Sequence, residues 1–215
     1  MRSALILCNG DSPPYSLVRR LAATVDCVVA ADGGANAARE IGIAPDLIIG
    51  DLDSITQATR RHFADVLTLH VARQDNTDLE KALDYLAAHK VREVAVLGGT
   101  GRRIDFTIGN FSVLWKYRAF MNISIAGNGW YAMPAIGRKI VHARIGTVVS
   151  LIPFGGCEGI TLRGLEYPLT NASMRVGEVG ISNVVRKSPF KVSVQRGAML
   201  LVVLEDLRPK HPGRS

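Results

Sequence analysis

Along the first 127 residues, short apolar runs alternate with stretches whose apolar positions recur at helical spacing. Ala4–Cys8, Leu47–Ile49 and Val94–Leu97 read as buried strands, Cys27–Ala31 as another apolar strand, and Val66–Val71 and Ile123–Ala126 as further strands. Between them, Tyr15–Thr24 places Leu17, Val18 and Leu21 on one helical face. Ala35–Ile41 reads as a helix closed by Gly42 and Pro45, and Ile55–Phe63 as another. Residues 74–78 open a helix with Leu79, Ala82, Leu83 and Leu86 on its apolar face, where Thr77 and Glu80 have capping-box spacing. A last helix runs to about Lys116. Such alternation predicts an α/β fold, an N-terminal mostly parallel sheet flanked by helices.

The pattern changes near Gly129. Tyr131–Met133, Lys139–His142, Val148–Pro153, Ile160–Leu162, Ile181–Val185, Lys191–Gln195 and Met199–Leu204 are short, rich in β-branched residues, and broken by Gly, Pro and Asn. Closely spaced strands without helices predict a C-terminal all-β, sandwich-like domain. The expected division is therefore 1–127 and 128–215, with a polar, basic tail at Arg208–Ser215 that should fray.

Composition narrows the function classes. With 47% hydrophobic residues in 215, the chain can bury a substantial core. Its longest apolar runs are far too short to span a bilayer, and its N-terminus reads as a first strand rather than a signal peptide. Three widely spaced cysteines without a CxxC pair suggest reduced thiols and a cytoplasmic protein. Scattered histidines argue against a zinc site. The net charge of +7 suits polyphosphate handling as well as nucleic acid. Aromatic and basic residues do not interleave on the strands as an RNA-binding module requires, so neither a nucleic-acid nor a membrane partner is expected.

Candidate chemistry lies at the strand ends. Asp51 and Asp53 follow an apolar strand and Gly50; in an extended segment, residues two apart share a side. Converging carboxylates call for a cation, and hard oxygen ligands suit Mg²⁺. A plainer reading is that Asp53 or Ser54 caps the next helix. Asp32, Asp78 and Asp105 also fall after predicted strands or at helix starts, the edge where parallel sheets bind ligands. Independent caps would occupy the same edge. The turn Gly98-Gly99-Thr100-Gly101-Arg102-Arg103 offers backbone N–H groups and positive charge to a phosphate, although it lacks the Lys of a P-loop.

In their order and spacing, these segments resemble the thiamine pyrophosphokinase family. The resemblance is carried by Ala31-Asp32-Gly33-Gly34-Ala35-Asn36, Pro45-Asp46-Leu47-Ile48-Ile49-Gly50-Asp51-Leu52-Asp53-Ser54, Gln74-Asp75-Asn76-Thr77-Asp78 and Gly98-Gly99-Thr100-Gly101-Arg102-Arg103-Ile104-Asp105. Ser150-Leu151-Ile152-Pro153-Phe154, Gly164-Leu165-Glu166-Tyr167-Pro168-Leu169 and Gly180-Ile181-Ser182-Asn183 extend it to the β half.

The resemblance implies transfer of the terminal diphosphate of ATP, the co-substrate, to the hydroxyl of thiamine, giving thiamine diphosphate and AMP. It also implies a homodimer, with each site shared between the α/β half of one subunit and the β half of the other. By motif position, Asp51, Asp53 and Asp78 would hold Mg²⁺, while Asp32, Thr77, Arg103 and Asp105 would line the nucleotide and reaction site. Asn9, Gly33, Gly34, Ser54 and Arg102 belong to the same expected binding set, and Ser182 and Asn183 to the thiamine pocket. A carboxylate near the alcohol could accept its proton, with Asp51 and Asp105 as candidates. Arg102 or Arg103 would take up charge on the transferred group. Two departures bear on the acceptor: Phe106 stands where family members often carry His or Gln, and Val184 where many bacterial members are acidic. A diphosphokinase for another hydroxymethyl heterocycle, such as a pterin, and a non-catalytic nucleotide–Mg²⁺ binder are the alternative readings.

Overall fold

The computed structural model describes residues 2–73 and 75–205. The expected fraying tail, 208–215, lies outside them. The chain divides into two compact units, Met1–Asn128 and Gly129–Ser215.

In the first unit the strands are β1 (Ser3–Leu7), β2 (Cys27–Ala31), β3 (Leu47–Gly50), β4 (Leu67–His70), β5 (Glu93–Leu97) and β6 (Asn122–Gly127). They are joined by helices α1 (Tyr15–Ala22), α2 (Gly34–Glu40), α3 (Gln57–His62), α4 (Asp78–Ala88) and α5 (Ile104–Tyr117). Neighbouring strands are all parallel, in the order β4-β3-β2-β1-β5-β6. Every residue of β2 and β3 is buried, as a parallel sheet covered on both faces demands. On one face Leu5, Leu7, Val28, Ala30 and Ile48 pack with Val18, Ala35 and Ala38 of α1 and α2. Helix α4 packs against β1, β2 and β3.

The chain builds outward from β1 to β4, then returns to the other side of β1 with β5. The strand order thus reverses at β1, and the carboxyl ends of the strands beside such a reversal are where open α/β sheets place their ligands. Cys8 donates its backbone N–H to the Leu97 carbonyl, Gly10 to that of Gly98 and Asp11 to that of Thr100, each at 2.8 Å. A side chain at position 10 would put its Cβ 2.3 Å from two carbonyl oxygens, Gly98 O and Thr100 O. Only glycine permits the two loops to run this close.

The second unit is wholly β: β7 (Trp130–Pro134), β8 (Gly137–Val141), β9 (Val148–Pro153), β10 (Cys157–Arg163), β11 (Leu169–Met174), β12 (Gly180–Val184), β13 (Phe190–Val194) and β14 (Met199–Leu204). Antiparallel neighbours run β12-β9-β14-β7 and β11-β10-β13-β8. Val149, Leu151, Leu201 and Val203 from the first set pack with Ile160, Leu162, Phe190, Val192 and Val194 from the second. These are alternate positions along each strand, the inner faces of a sandwich.

Two elements differ from expectation. Strand β11 carries the polar sequence LTNASM, its Asn171 has φ 51°, and its pairing with β10 is broken by register shifts, so apolar alternation could not reveal it. Helix α3 begins at Gln57 because Thr56 caps it, accepting the Thr59 N–H, which leaves Asp53 and Ser54 without a capping role.

Phe190 is wholly buried in the sandwich core. Phe190→Ala should cost the protein about 3–5 kcal/mol, measured by equilibrium urea unfolding; a loss within experimental error would show that this core is not what stabilises the unit.

Candidate active site

Asp32 follows β2, Asp51 follows β3, and Asp78 is the first residue of α4. Strands β2 and β3 are hydrogen-bonded neighbours with Ala31 opposite Ile49, so the first two aspartates leave the sheet side by side. Each of the three offers a carboxylate oxygen, and these oxygens lie within 4.8 Å of one another. Asp78 is set by the helix start: Thr77 accepts the Glu80 N–H, Glu80 accepts the Thr77 N–H at 3.0 Å, and the capping box is complete. Tyr117 ties the same helix to α5, its hydroxyl donating to Asp84 at 2.6 Å.

Backbone strain accompanies this convergence. Asp32 has φ 43° and Leu52 φ 66°, left-handed values that are rare outside glycine. At Leu52 the left-handed turn ends the extended geometry, so strand alternation does not carry to Asp53. Asp53 is exposed, accepts the Ser54 hydroxyl at 2.9 Å, and stands outside the group of three. The loop is pinned from α2 by Asn36, which donates to the Ser54 carbonyl at 2.8 Å and accepts the Thr56 N–H at 3.1 Å.

The three carboxylates fit a hard divalent cation. Asp32 is 4% exposed, and its Oδ1 has no hydrogen-bond partner, a costly state for a buried carboxylate oxygen. A Cβ on Gly50 would lie 2.7 Å from the Asp32 Cβ and 3.0 Å from Asp78 Oδ1, so glycine keeps the space between them open. The set is all oxygen, as Mg²⁺ prefers. Burial raises the Asp32 carboxyl above the usual range, with Asp78 and Asp51 adding to the rise and the Ser54 hydroxyl and Gly33 N–H opposing it. Burial also pushes the neighbouring Cys8 thiol up to about 12, with help from Asp78, so it is no nucleophile.

One cation at this group was not singled out from the sequence. Lys81 of α4 is 4% exposed, and its Nζ lies 2.9 Å from Asp78 Oδ1 and 3.6 Å from Asp51 Oδ2. Burial opposes its charge, yet the Asp78 hydrogen bond and the Asp78 and Asp51 charges outweigh it and hold the ammonium above its usual range. Its only sequence signal is the three-residue spacing from Asp78.

A cavity of about 300 Å³ opens beside Asp32 and Asp78. Of the residues singled out from the sequence, Asn9, Ser54, Thr77, Arg102 and Arg103 also line it. On its far wall the Gly98–Gly101 turn is braced by Asn110, whose side chain donates to Gly99 O at 2.7 Å, a support the sequence did not reveal. Arg102 donates to the Asn9 side-chain oxygen at 3.3 Å, joining the loops after β1 and β5. Gly33 and Gly34 serve close packing: added Cβ atoms would lie 2.3 Å from Asn9 Nδ2 and 1.9 Å from Leu7 O.

Asp105 sits apart from the three carboxylates. It accepts two hydrogen bonds from Arg103, which hold its carboxyl below the usual range, and both side chains are exposed. The Arg103 guanidinium also lies 4.4 Å from the centre of the Phe106 ring, which faces the cavity. In the second unit, Ser182 is exposed at φ 61°. Asn183 is buried: it donates to the Tyr167 carbonyl at 2.9 Å and accepts the Tyr167 and Val184 N–H groups at 3.0 and 2.9 Å. Among the described residues, no helix is long and apolar enough to cross a membrane.

Comparison with known proteins bears on this arrangement. Residues 18–126 match the family described as "Thiamin pyrophosphokinase, catalytic domain", and residues 139–199 match "Thiamin pyrophosphokinase, vitamin B1 binding domain". The chain is 31% identical over 183 residues to a thiamine pyrophosphokinase of Bacillus subtilis, covering 81% of this chain and 85% of the relative. A crystal structure of the Bacillus subtilis thiamine pyrophosphokinase superposes with a TM-score of 0.84 at 27% identity, covering 96% of this chain and all of that one. The Candida albicans thiamin pyrophosphokinase, 17% identical, shares the fold with a TM-score of 0.85 over 95% of this chain and 89% of its own. With both family domains matched in order, one on each structural unit, and the acidic group and glycine turn inside the first, the chain belongs to the thiamin pyrophosphokinase family.

Proposed function

We propose that this protein transfers the diphosphate of ATP to the hydroxyl of thiamine, releasing thiamine diphosphate and AMP. The observation that carries the reading is the meeting of Asp32, Asp51 and Asp78 beside a cavity walled by the Gly98–Arg103 turn, in a chain of this family. The match of residues 139–199 to a vitamin B1 binding domain supports thiamine as acceptor.

Transfer of a phosphoryl unit depends mostly on positioning and on charge stabilisation. Asp32, Asp51 and Asp78 would hold Mg²⁺, with Asp53 on the same loop as a further carboxylate. Bound there, the ion supplies Lewis-acid neutralisation of phosphate oxygens. The backbone N–H groups of the Gly98–Gly101 turn cradle the phosphate chain, and Arg102, steadied by Asn9, supplies positive charge to it. Asp51 and Asp105 are the two candidate proton acceptors: Arg103 engages Asp105, and the Lys81 ammonium lies 3.6 Å from Asp51. Arg103, bound to Asp105 and stacked on Phe106, faces the same cavity and meets the transferred group or the base. In the second unit Ser182 offers an exposed hydroxyl to the acceptor, and Asn183 shapes the pocket by fixing Tyr167. Phe106, an apolar ring at the cavity, favours a second reading in which the acceptor is another hydroxymethyl heterocycle.

Product analysis decides the reaction. With ATP, Mg²⁺ and thiamine, AMP and thiamine diphosphate should form in equal amounts; ADP with thiamine monophosphate would contradict diphosphate transfer. Loss of turnover with thiamine but not with a pterin alcohol would move the assignment to the second reading.

The metal ligands are tested by substitution. Asp51→Asn and Asp53→Asn should each lower kcat by about a hundredfold or more with the fold intact by circular dichroism. Near-wild-type turnover at low Mg²⁺ in either variant would remove that residue from the site. Asp32→Asn should, in addition, raise the thermal midpoint in EDTA at neutral pH. A carboxyl raised in the folded state favours folding below its unfolded pKa and loses that contribution as pH rises through the folded one. As the pH rises above the ordinary carboxylate range the wild type therefore loses stability that the Asn variant keeps, and the advantage of Asn should vanish as the pH falls into that range. An advantage independent of pH would contradict the assignment.

The protein is further proposed to act as a homodimer with sites shared between subunits. Mixing inactive Asp53→Asn chains with inactive chains carrying Ser182→Ala and Asn183→Ala should restore activity, toward about half per mixed dimer. No recovery despite demonstrated subunit exchange would mean that each chain builds its own site.

A further inference from the structure

Lys81 lies on the buried side of α4, one turn beyond Asp78, within ion-pair reach of both Asp78 and Asp51. A lysine is almost never this buried unless it is paired. Here its partners are two of the three carboxylates whose oxygens crowd within 4.8 Å. The third, Asp32, is equally buried and has an oxygen without a hydrogen-bond partner. One ammonium against three carboxylates leaves the group with a net negative charge, enough to attract a divalent ion. The ammonium nevertheless approaches two of the carboxylates that the ion would use.

We propose that Lys81 is the resident counter-cation of this site. It neutralises Asp51 and Asp78 before metal arrives and competes with the metal for them, so that the protein alone binds the ion weakly. The phosphates of the nucleotide then complete the charge balance, and ion and nucleotide enter together. This inference rests on the reading of the three carboxylates as a Mg²⁺ site. Lys81 is a positioning residue in it, since it acts through the aspartates and not on the reacting atoms.

The test is metal affinity rather than turnover. Mn²⁺ is titrated into the full chain without nucleotide, the free ion being read by electron paramagnetic resonance. Lys81→Met should tighten Mn²⁺ binding on the order of tenfold or more, and Lys81→Arg should leave it near the wild-type value. Lys81→Met should also unfold at a lower temperature than wild type in EDTA, with the gap closing at saturating Mn²⁺. Lys81→Gln serves the same comparison if the methionine variant does not fold. Asp51→Asn separates the two possible failures. If it weakens Mn²⁺ binding while Lys81→Met and Lys81→Gln leave affinity unchanged or lower, the metal site stands and the role of Lys81 is overturned. If Asp51→Asn leaves binding unchanged, the metal reading falls and this inference with it.

Discussion

Carboxylates crowded within 4.8 Å repel one another, and the first unit is arranged so that the fold keeps them there. Two of them leave adjacent parallel strands whose register is fixed by burial on both faces. The third is fixed by a capping box at the start of a helix that packs on those strands. Left-handed backbone at Asp32 and Leu52 and the absence of a side chain at Gly50 give the oxygens room to converge. Lys81 offsets part of the repulsion from beneath.

The glycine turn after β5 depends on the same framework from the other side. Because the strand order reverses at β1, the loops after β1 and β5 border one crevice, and three backbone hydrogen bonds lace them together. Asn110 and Arg102 brace that wall through Gly99 and Asn9. The glycine turn and the carboxylates of Asp32 and Asp78 thus line one cavity, the juxtaposition that a metal-complexed polyphosphate would need.

Much of this was legible in the chain because it follows from periodicity. Buried parallel strands announce themselves as unbroken apolar runs, and β2 and β3 were read to within a residue. The Thr77–Glu80 box is local and was found by spacing alone. What escaped depends on contacts distant in sequence or on local backbone. Asp51 meets Asp32 and Asp78 rather than Asp53 because of a left-handed turn at Leu52, and apolar–polar pattern carries no trace of that turn. Lys81 shows only its three-residue spacing from Asp78 in the sequence, and its second partner, Asp51, comes from another element. Asn183, expected at a ligand, turns its amide to the backbone of Tyr167, sixteen residues away. Strand β11 is polar, and it exists because β10 offers it an edge to pair with.

The central claim is that Asp32, Asp51 and Asp78 form a metal site that receives a nucleotide's phosphates. The most direct measurement is an anomalous-scattering map from crystals grown with Mn²⁺ and a non-hydrolysable ATP analogue. The account predicts a peak within coordinating distance of carboxylate oxygens of Asp32, Asp51 and Asp78, with the analogue's phosphates against the Gly98–Gly101 turn. A bound analogue with no metal peak among these carboxylates, or with its phosphates away from that turn, would contradict it.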